Sequence, residues 1–156
     1  MRIQIAVVGR LRDAPEAALA ADYIARAATA GRQIGFKAIE LTEVEARPQG
    51  DQRAEAGALF RATPDDARKI LLDERGAEWA SRQMAEKLAR WRDDGVPCTT
   101  FWIGGADGVS QSVKDQADEK LAFGRQTWPH RLVRVMISEQ IYRAVTILCG
   151  TPYHRD

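Results

Sequence analysis

Two stretches of the chain carry residue types and spacings suited to chemistry. In the first, the apolar run Thr99 to Ile103 ends in Gly104-Gly105-Ala106-Asp107-Gly108, three glycines within five residues. Glycines let a buried strand turn sharply and bring its peptide groups close to a ligand at its carboxyl end. The second is the tail Tyr153-His154-Arg155, a phenol, an imidazole and a guanidinium in a row, with Glu139 and Arg143 four residues apart upstream. An imidazole can act as a general base near neutral pH, and guanidinium groups clamp anionic oxygens. The bland alternative is a solvated tail beside an ordinary i,i+4 salt bridge. Two more loops resemble the first, Leu72-Asp73-Glu74-Arg75-Gly76 and Gly124-Arg125-Gln126-Thr127-Trp128-Pro129. A dinucleotide fingerprint needs G-x-G-x-x-G after the first strand, and here the glycines are spaced differently and come late. A phosphate-binding P-loop needs Gly-Lys-Ser/Thr, which does not follow.

These loops need strands and helices to position them. Ile3 to Val8 reads as a buried strand ended by Gly9. Asp13 and Pro15 read as a helix start, with the helix running from Pro15 to Ala30 and Gly31 in the C-cap role. Ile34 to Leu41 reads as a second strand, and Asp51 to Arg61 as a short helix. Lys69 to Asp73 reads as a third strand ended by the Asp73 to Gly76 turn, followed by a helix from Ala77 to Asp94 on the spacing of Trp79, Met84, Leu88 and Trp91. Gly95 and Pro97 stop it before the fourth strand, Thr99 to Ile103. Ser110 to Asp118 reads as a short helix capped by Ser110 or Ser112, and Lys120 to Phe123 as a short strand. Pro129 opens a long helix, His130 to Cys149, whose broad apolar surface implies burial against the sheet and against something else, such as a second subunit. Strands alternating with helices imply one α/β domain over residues 1–156 with a mostly parallel sheet. If the strands are parallel, the three loops leave the same end of the sheet and can converge on one ligand.

Composition narrows the function. The chain has 156 residues, 45% apolar and 29% charged, with a formal net charge of +1. Such a balance argues against a free nucleic-acid binder, although a local basic patch is compatible with it. The loop Arg47 to Arg53 is either solvated or a mobile basic loop touching a polyanion. Cys98 and Cys149 stand far apart without metal-type spacing, which fits a reduced cytoplasmic protein with two buried thiols and no metal. No apolar run reaches the roughly 18 residues a membrane helix needs, and the N-terminus lacks the pattern of a signal peptide.

The motifs taken together resemble a known family. Leu72-Asp73, Ile103-Gly104-Gly105-x-x-Gly108, Pro129-His130-x-Leu132-Val133-Arg134-Val135, Glu139-Gln140-x-Tyr142-Arg143-Ala144 and Pro152-Tyr153-His154-Arg155 occur in that order. In these motifs the chain resembles the small SPOUT-class methyltransferases that N3-methylate a pseudouridine in bacterial large-subunit ribosomal RNA. The resemblance is dense from Leu72 onward and thin before it. It implies an α/β fold with a deep trefoil knot near the C-terminus, a homodimer, and RNA within the assembled ribosome as substrate. It places S-adenosylmethionine at Leu72, Gly105 and the loop Gly124, Arg125, Gln126, Thr127, Trp128 and Pro129. On this reading His154 is the base, Arg143 and Arg155 stabilise charge or grip phosphate, and Tyr153 stacks on the base. Ala106-Asp107 and Phe123 to Gln126 depart from the family pattern. Two alternatives are a SPOUT methyltransferase acting at another RNA site and a non-catalytic ribosome-binding factor.

Overall fold

The computed structural model describes residues 1–48 and 50–155; Gln49 of the basic loop and Asp156 of the tail lie outside the described residues. The chain runs β1 (Arg2–Val8), α1 (Pro15–Gly31), a 3-10 turn (Arg32–Ile34), β2 (Ala38–Val44), α2 (Gln52–Ala62), β3 (Arg68–Glu78), α3 (Ser81–Asp93), β4 (Cys98–Ile103), α4 (Gln111–Gln116), β5 (Glu119–Ala122) and α5 (His130–Cys149). The five strands form one sheet in the order β2-β1-β4-β3-β5, and every ladder in it is parallel. All carboxyl ends therefore face one side, as the alternation of elements requires.

Strand alternation decides which helices cover which face. Ile3, Ile5 and Val7 of β1, Phe101 and Ile103 of β4 and Ile70 of β3 point to the side covered by α1, α3 and α5. Ala6, Val8, Leu71 and Trp102 point the other way, towards Ala56 and Leu59 of α2 and Val113 of α4. Each fully buried large apolar side chain contributes about 1.5–3 kcal/mol. Polar groups on the second face are paired: Trp102 Nε1 donates to Thr63 Oγ1 at 2.8 Å, and Gln4 Nε2 donates to the Ala62 carbonyl at 3.0 Å. Such pairing avoids the cost of an unsatisfied buried donor.

Several local expectations need correction. Asp13 does not cap α1; it sits at φ 50, and Ala14 occupies the N-cap without a side-chain bond. Gly31 lies inside the helix end rather than closing it. The closing residue is Gly35 in the left-handed region at φ 87, after which the Phe36 N–H returns to the Gly31 carbonyl at 3.0 Å. Ile34 and Phe36 thus alternate within a capping turn, and β2 begins only at Ala38. β3 does not stop at Asp73: Leu72 and Ala77 both face Leu121 of β5, so residues 73–76 bulge out of a continuing strand. Trp79 precedes α3, its ring edge-on to Trp91 at 6.2 Å, and this contact mimics helical spacing. Ser110 holds the N-cap position of α4, but its hydroxyl pairs with that of Ser112 at 2.8 Å rather than capping the helix. Asp51 does cap α2, its Oδ1 accepting from the N–H groups of Arg53 and Ala54. Cys98 is buried, but Cys149 is only half-buried.

α5 has the expected bounds, but its apolar stripe is largely used within the chain. Ile137, Ile141, Ala144 and Val145 are buried among α1, α3 and β4. Leu132 stays 41% exposed, and Val135 and Met136 are half-buried.

A charged triad fastens the start of β5. Glu119 accepts from Arg68 at 2.7 Å and from Lys87 at 2.6 Å. Burial alone pushes its carboxyl up, but the bonds from Lys87 and Arg68 outweigh that and hold it below the ordinary value. A carboxylate with a depressed folded pKa stabilises the fold above its unfolded pKa of about 4.3, and the gain is lost as pH falls through the folded value. Glu119→Gln is therefore expected to cost about 1–2 kcal/mol at pH 7 and progressively less as pH falls through the folded value, as measured by urea unfolding across that range.

Candidate functional site

The bulge in β3 and the carboxyl ends of β4 and β5 enclose a cavity of about 370 Å³. Leu72, Asp73 and Glu74 form one wall, Gly104 and Gly105 a second, and Gly124, Gln126, Thr127 and Trp128 a third. His130 and Val133 at the start of α5 complete it. The walls are tied together: Thr127 Oγ1 donates to Glu74 Oε2 at 2.8 Å, and Trp128 Nε1 donates to the Phe123 carbonyl at 3.0 Å. The glycine loop is closed by the Gly108 N–H on the Gly105 carbonyl at 3.2 Å. From α2, Gln52 Nε2 holds the Asp107 carbonyl at 2.8 Å. The three loops thus converge. Among the residues expected there, Arg125 and Pro129 do not line the cavity, and Pro129 instead occupies the N-cap position of α5.

Behind the glycine loop lies a second cavity, about 580 Å³, at the carboxyl ends of β1, β2 and β4. Arg10, Arg47, Glu55 and Asp107 border it, and Gly105, Ala106 and His130 border both cavities. Glu55 is only 7% exposed. Burial pushes its carboxyl up, opposed by the backbone N–H groups of Gly50 and Gly105 and reinforced by the Asp107 charge. Its oxygens lie 2.8 and 2.9 Å from where a Cβ on Gly105 would sit, so only glycine fits there without displacing the carboxylate. Burial first, then the charges of Arg131 and Arg134, push the His130 imidazole down and keep it neutral near pH 7.

The tail residues gather elsewhere. Arg143 donates to Glu139 Oε1 through Nη2 at 2.5 Å and Nε at 3.0 Å, and the Tyr153 hydroxyl donates to the same oxygen at 3.0 Å. Arg143 also approaches His154 Nδ1 at 3.5 Å. The Tyr142 and Tyr153 rings meet at 4.6 Å, with Arg26 of α1 over Tyr142 at 4.3 Å. Arg155 is exposed. Burial, then bonds to Tyr23 and Glu139, push the Tyr153 phenol up, so it stays protonated. The Glu139–Arg143 pair is thus an i,i+4 salt bridge, and it also organises the tail. This cluster does not reach the first cavity of its own chain. Arg143 stands ten residues beyond Val133 on one helix, about 15 Å along the axis.

A family model described as "Predicted SPOUT methyltransferase" matches residues 1–154. The chain belongs to the SPOUT methyltransferase family. It is 52% identical to a protein of Paracoccus denitrificans over 156 residues and 53% identical to one of Phenylobacterium zucineum over 156 residues, covering the whole of each chain. It is 52% identical to a protein of Hyphomonas neptunium over 155 residues, 99% of both chains. All three relatives are named ribosomal RNA large subunit methyltransferase H. A solved structure, that of a probable methylase family protein from Haemophilus influenzae Rd KW20, matches with a TM-score of 0.51 at 12% identity, covering 99% of this chain and 70% of that one. That likeness is one of fold.

The SPOUT motifs read from the sequence lie from Leu72 onward, and they do not include Glu55. A glutamate in the first turn of a short helix looks solvated. Its burial arises only when the β4 loop folds against α2, a contact between residues 50 apart in sequence. His130 lies inside the Pro129-His130 motif but carries no sign there of facing two cavities. Among the described residues no cluster of His, Cys, Asp and Glu could hold a metal ion, and no helix is long and apolar enough to cross a membrane.

Proposed function

We propose that this protein is a cytoplasmic homodimer, each subunit a single SPOUT domain, that transfers a methyl group from S-adenosylmethionine to N3 of a pseudouridine in large-subunit ribosomal RNA of the assembled ribosome. The observation that carries the site is the convergence of Leu72, Gly105 and Gly124 to Trp128 on one cavity. The relatives' shared name, at about half identity over their full length, supports the RNA substrate. A net charge of +1 suits a protein that docks onto a large particle rather than one that grips free RNA.

The cavity fits the donor. Its volume lies in the roughly 300–1,000 Å³ range of small-molecule sites. Leu72, Leu121 and Val133 offer apolar surface for an adenine, and Asp73 and Glu74 offer negative charge for a sulfonium and an ammonium group. Peptide groups of the glycine loop that are not bonded within the protein can bond the donor whatever the side chains, which makes the departures at Ala106 and Asp107 tolerable. S-adenosylmethionine supplies an activated methyl electrophile when bound. The chain's own contribution is positioning and proton removal. His154 takes the N3 proton, Arg143 and Arg155 hold the negative charge that spreads onto the uracil oxygens, and Tyr153 stacks on the ring.

Separation along α5 makes the tail a donation to the partner subunit's cavity. Leu132 at 41% and Trp128 at 40% exposure, both near the cavity end of α5, supply apolar surface for such a dimer. The proposal includes the deep trefoil knot. The chain leaves β5 at one edge of the sheet, and α5 then crosses back to pack on α1, a path compatible with threading. Purified protein with labelled S-adenosylmethionine is expected to label intact ribosomes lacking the modification far faster than free RNA. Absence of label on ribosomes would remove the proposal.

A further inference from the structure

We propose that the cavity at the carboxyl ends of β1, β2 and β4 receives the acceptor base, and that Glu55 reads the N1–H group that distinguishes a pseudouridine from a uridine. The inference rests on the reading of the neighbouring cavity as the methyl-donor site.

In-line displacement places the attacking nitrogen on the far side of the transferred methyl from the sulfur. The acceptor pocket must therefore abut the donor pocket and open onto it. The second cavity meets this condition through the wall of Gly105, Ala106 and His130 that both share. About 580 Å³ accommodates a nucleotide turned out of its strand. Arg47 and Arg10 border it, the latter paired with Glu45 at 3.1 Å, and their remaining N–H groups supply donors for uracil oxygens or phosphate.

Glu55 is the feature that solvation does not explain. The residue is 93% buried, borders this cavity and has no ion-pair partner among the described residues. A buried carboxylate is costly unless hydrogen-bond donors face it. An ionised carboxylate has about four acceptor sites, and the backbone N–H groups of Gly50 and Gly105 occupy only part of that capacity. The remainder calls for a donor on the ligand. When N3 of the base loses its proton and faces the methyl group, a pseudouridine retains one ring N–H, at N1. In a uridine N1 carries the ribose and no hydrogen. A site that accepts a hydrogen bond from its substrate discriminates strongly against an analogue lacking the donor, because the buried acceptor is left unpaired. Glu55 also braces the Gly105 wall, so selection of the base and placement of the donor share one carboxylate.

The test uses two substrates, ribosomes carrying pseudouridine at the target position and ribosomes carrying uridine there. The wild-type protein is expected to favour pseudouridine by about 10²–10⁴ in kcat/KM. In Glu55→Ala that ratio is expected to collapse below about tenfold, chiefly through loss of activity on pseudouridine. Damage to the donor wall alone lowers both substrates alike and leaves the ratio intact, so an unchanged ratio overturns the role of Glu55. Glu55→Gln preserves shape if the alanine variant does not fold. Its amide turned towards the glycine N–H groups is expected to lower the ratio at least tenfold; a wild-type ratio in it overturns the inference equally. Wild-type transfer to both substrates at equal rates overturns it as well. Failure of the wild-type protein to methylate either substrate overturns the methyl-transfer reading itself and the inference with it.

Discussion

Gly105→Val is expected to abolish measurable binding of S-adenosylmethionine in calorimetry, with affinity reduced at least about 100-fold. The Cβ of any side chain at this position would stand 2.8 and 2.9 Å from the two oxygens of Glu55 and 3.1 Å from the carbon between them. Glu55 is buried against the glycine loop and borders the larger cavity, so a side chain at 105 must displace either its carboxylate or the loop itself. Either movement reshapes the wall that the two cavities share. Overpacking of this kind costs about 1–3 kcal/mol before any ligand arrives. The two γ-methyl groups then occupy part of a cavity of about 370 Å³. The fold should survive, because Gly105 follows the last residue of β4 by two positions and carries no ladder bond. A near-normal thermal midpoint with lost donor binding is the expected pair of results. Donor affinity equal to wild type would detach the glycine loop from the site.

Gly105 also illustrates what a sequence can disclose. The loop around it was legible because three glycines after a buried strand have few uses, and the parallel sheet then brings the bulge of β3 and the loop after β5 to the same end. α5 was legible to the residue, since a proline sets its start and an apolar stripe runs through it; the structure adds Gly150 in the left-handed region as its close. Misreadings occurred where a non-local contact imitates a local period. Phe36 alternates with Ile34 because it packs into the core from a capping turn, and Trp79 keeps helical phase with Trp91 because the rings touch. Glu55 was not legible as a site residue. Helical spacing places it one turn before the buried Leu59, but nothing local announces the loop 50 residues later that packs on its carboxylate. Arg125 sits in the loop that lines the cavity but is not itself part of the lining, since spacing alone does not fix the direction of side chains after the positive-φ turn at Gly124.

His154→Ala is expected to lower kcat by about 10²–10⁴ while donor affinity stays within about twofold of wild type. The imidazole lies with Arg143 and Tyr153 in a cluster centred on Glu139, well removed along α5 from the donor cavity of its own chain. Its loss should therefore leave the donor walls untouched. If the tail acts in the partner's site, the two largest defects complement each other. In a two-fold dimer of one Gly105→Val subunit and one His154→Ala subunit, one site carries both lesions and the other carries neither. Random mixing makes half of all dimers hybrid, so co-expressed subunits are expected to recover about one quarter of wild-type turnover. If each chain instead serves its own cavity, every site retains a lesion and no recovery occurs. Full turnover by His154→Ala alone would remove the imidazole from proton transfer, and a mixture as inactive as its parents would return the tail to its own subunit.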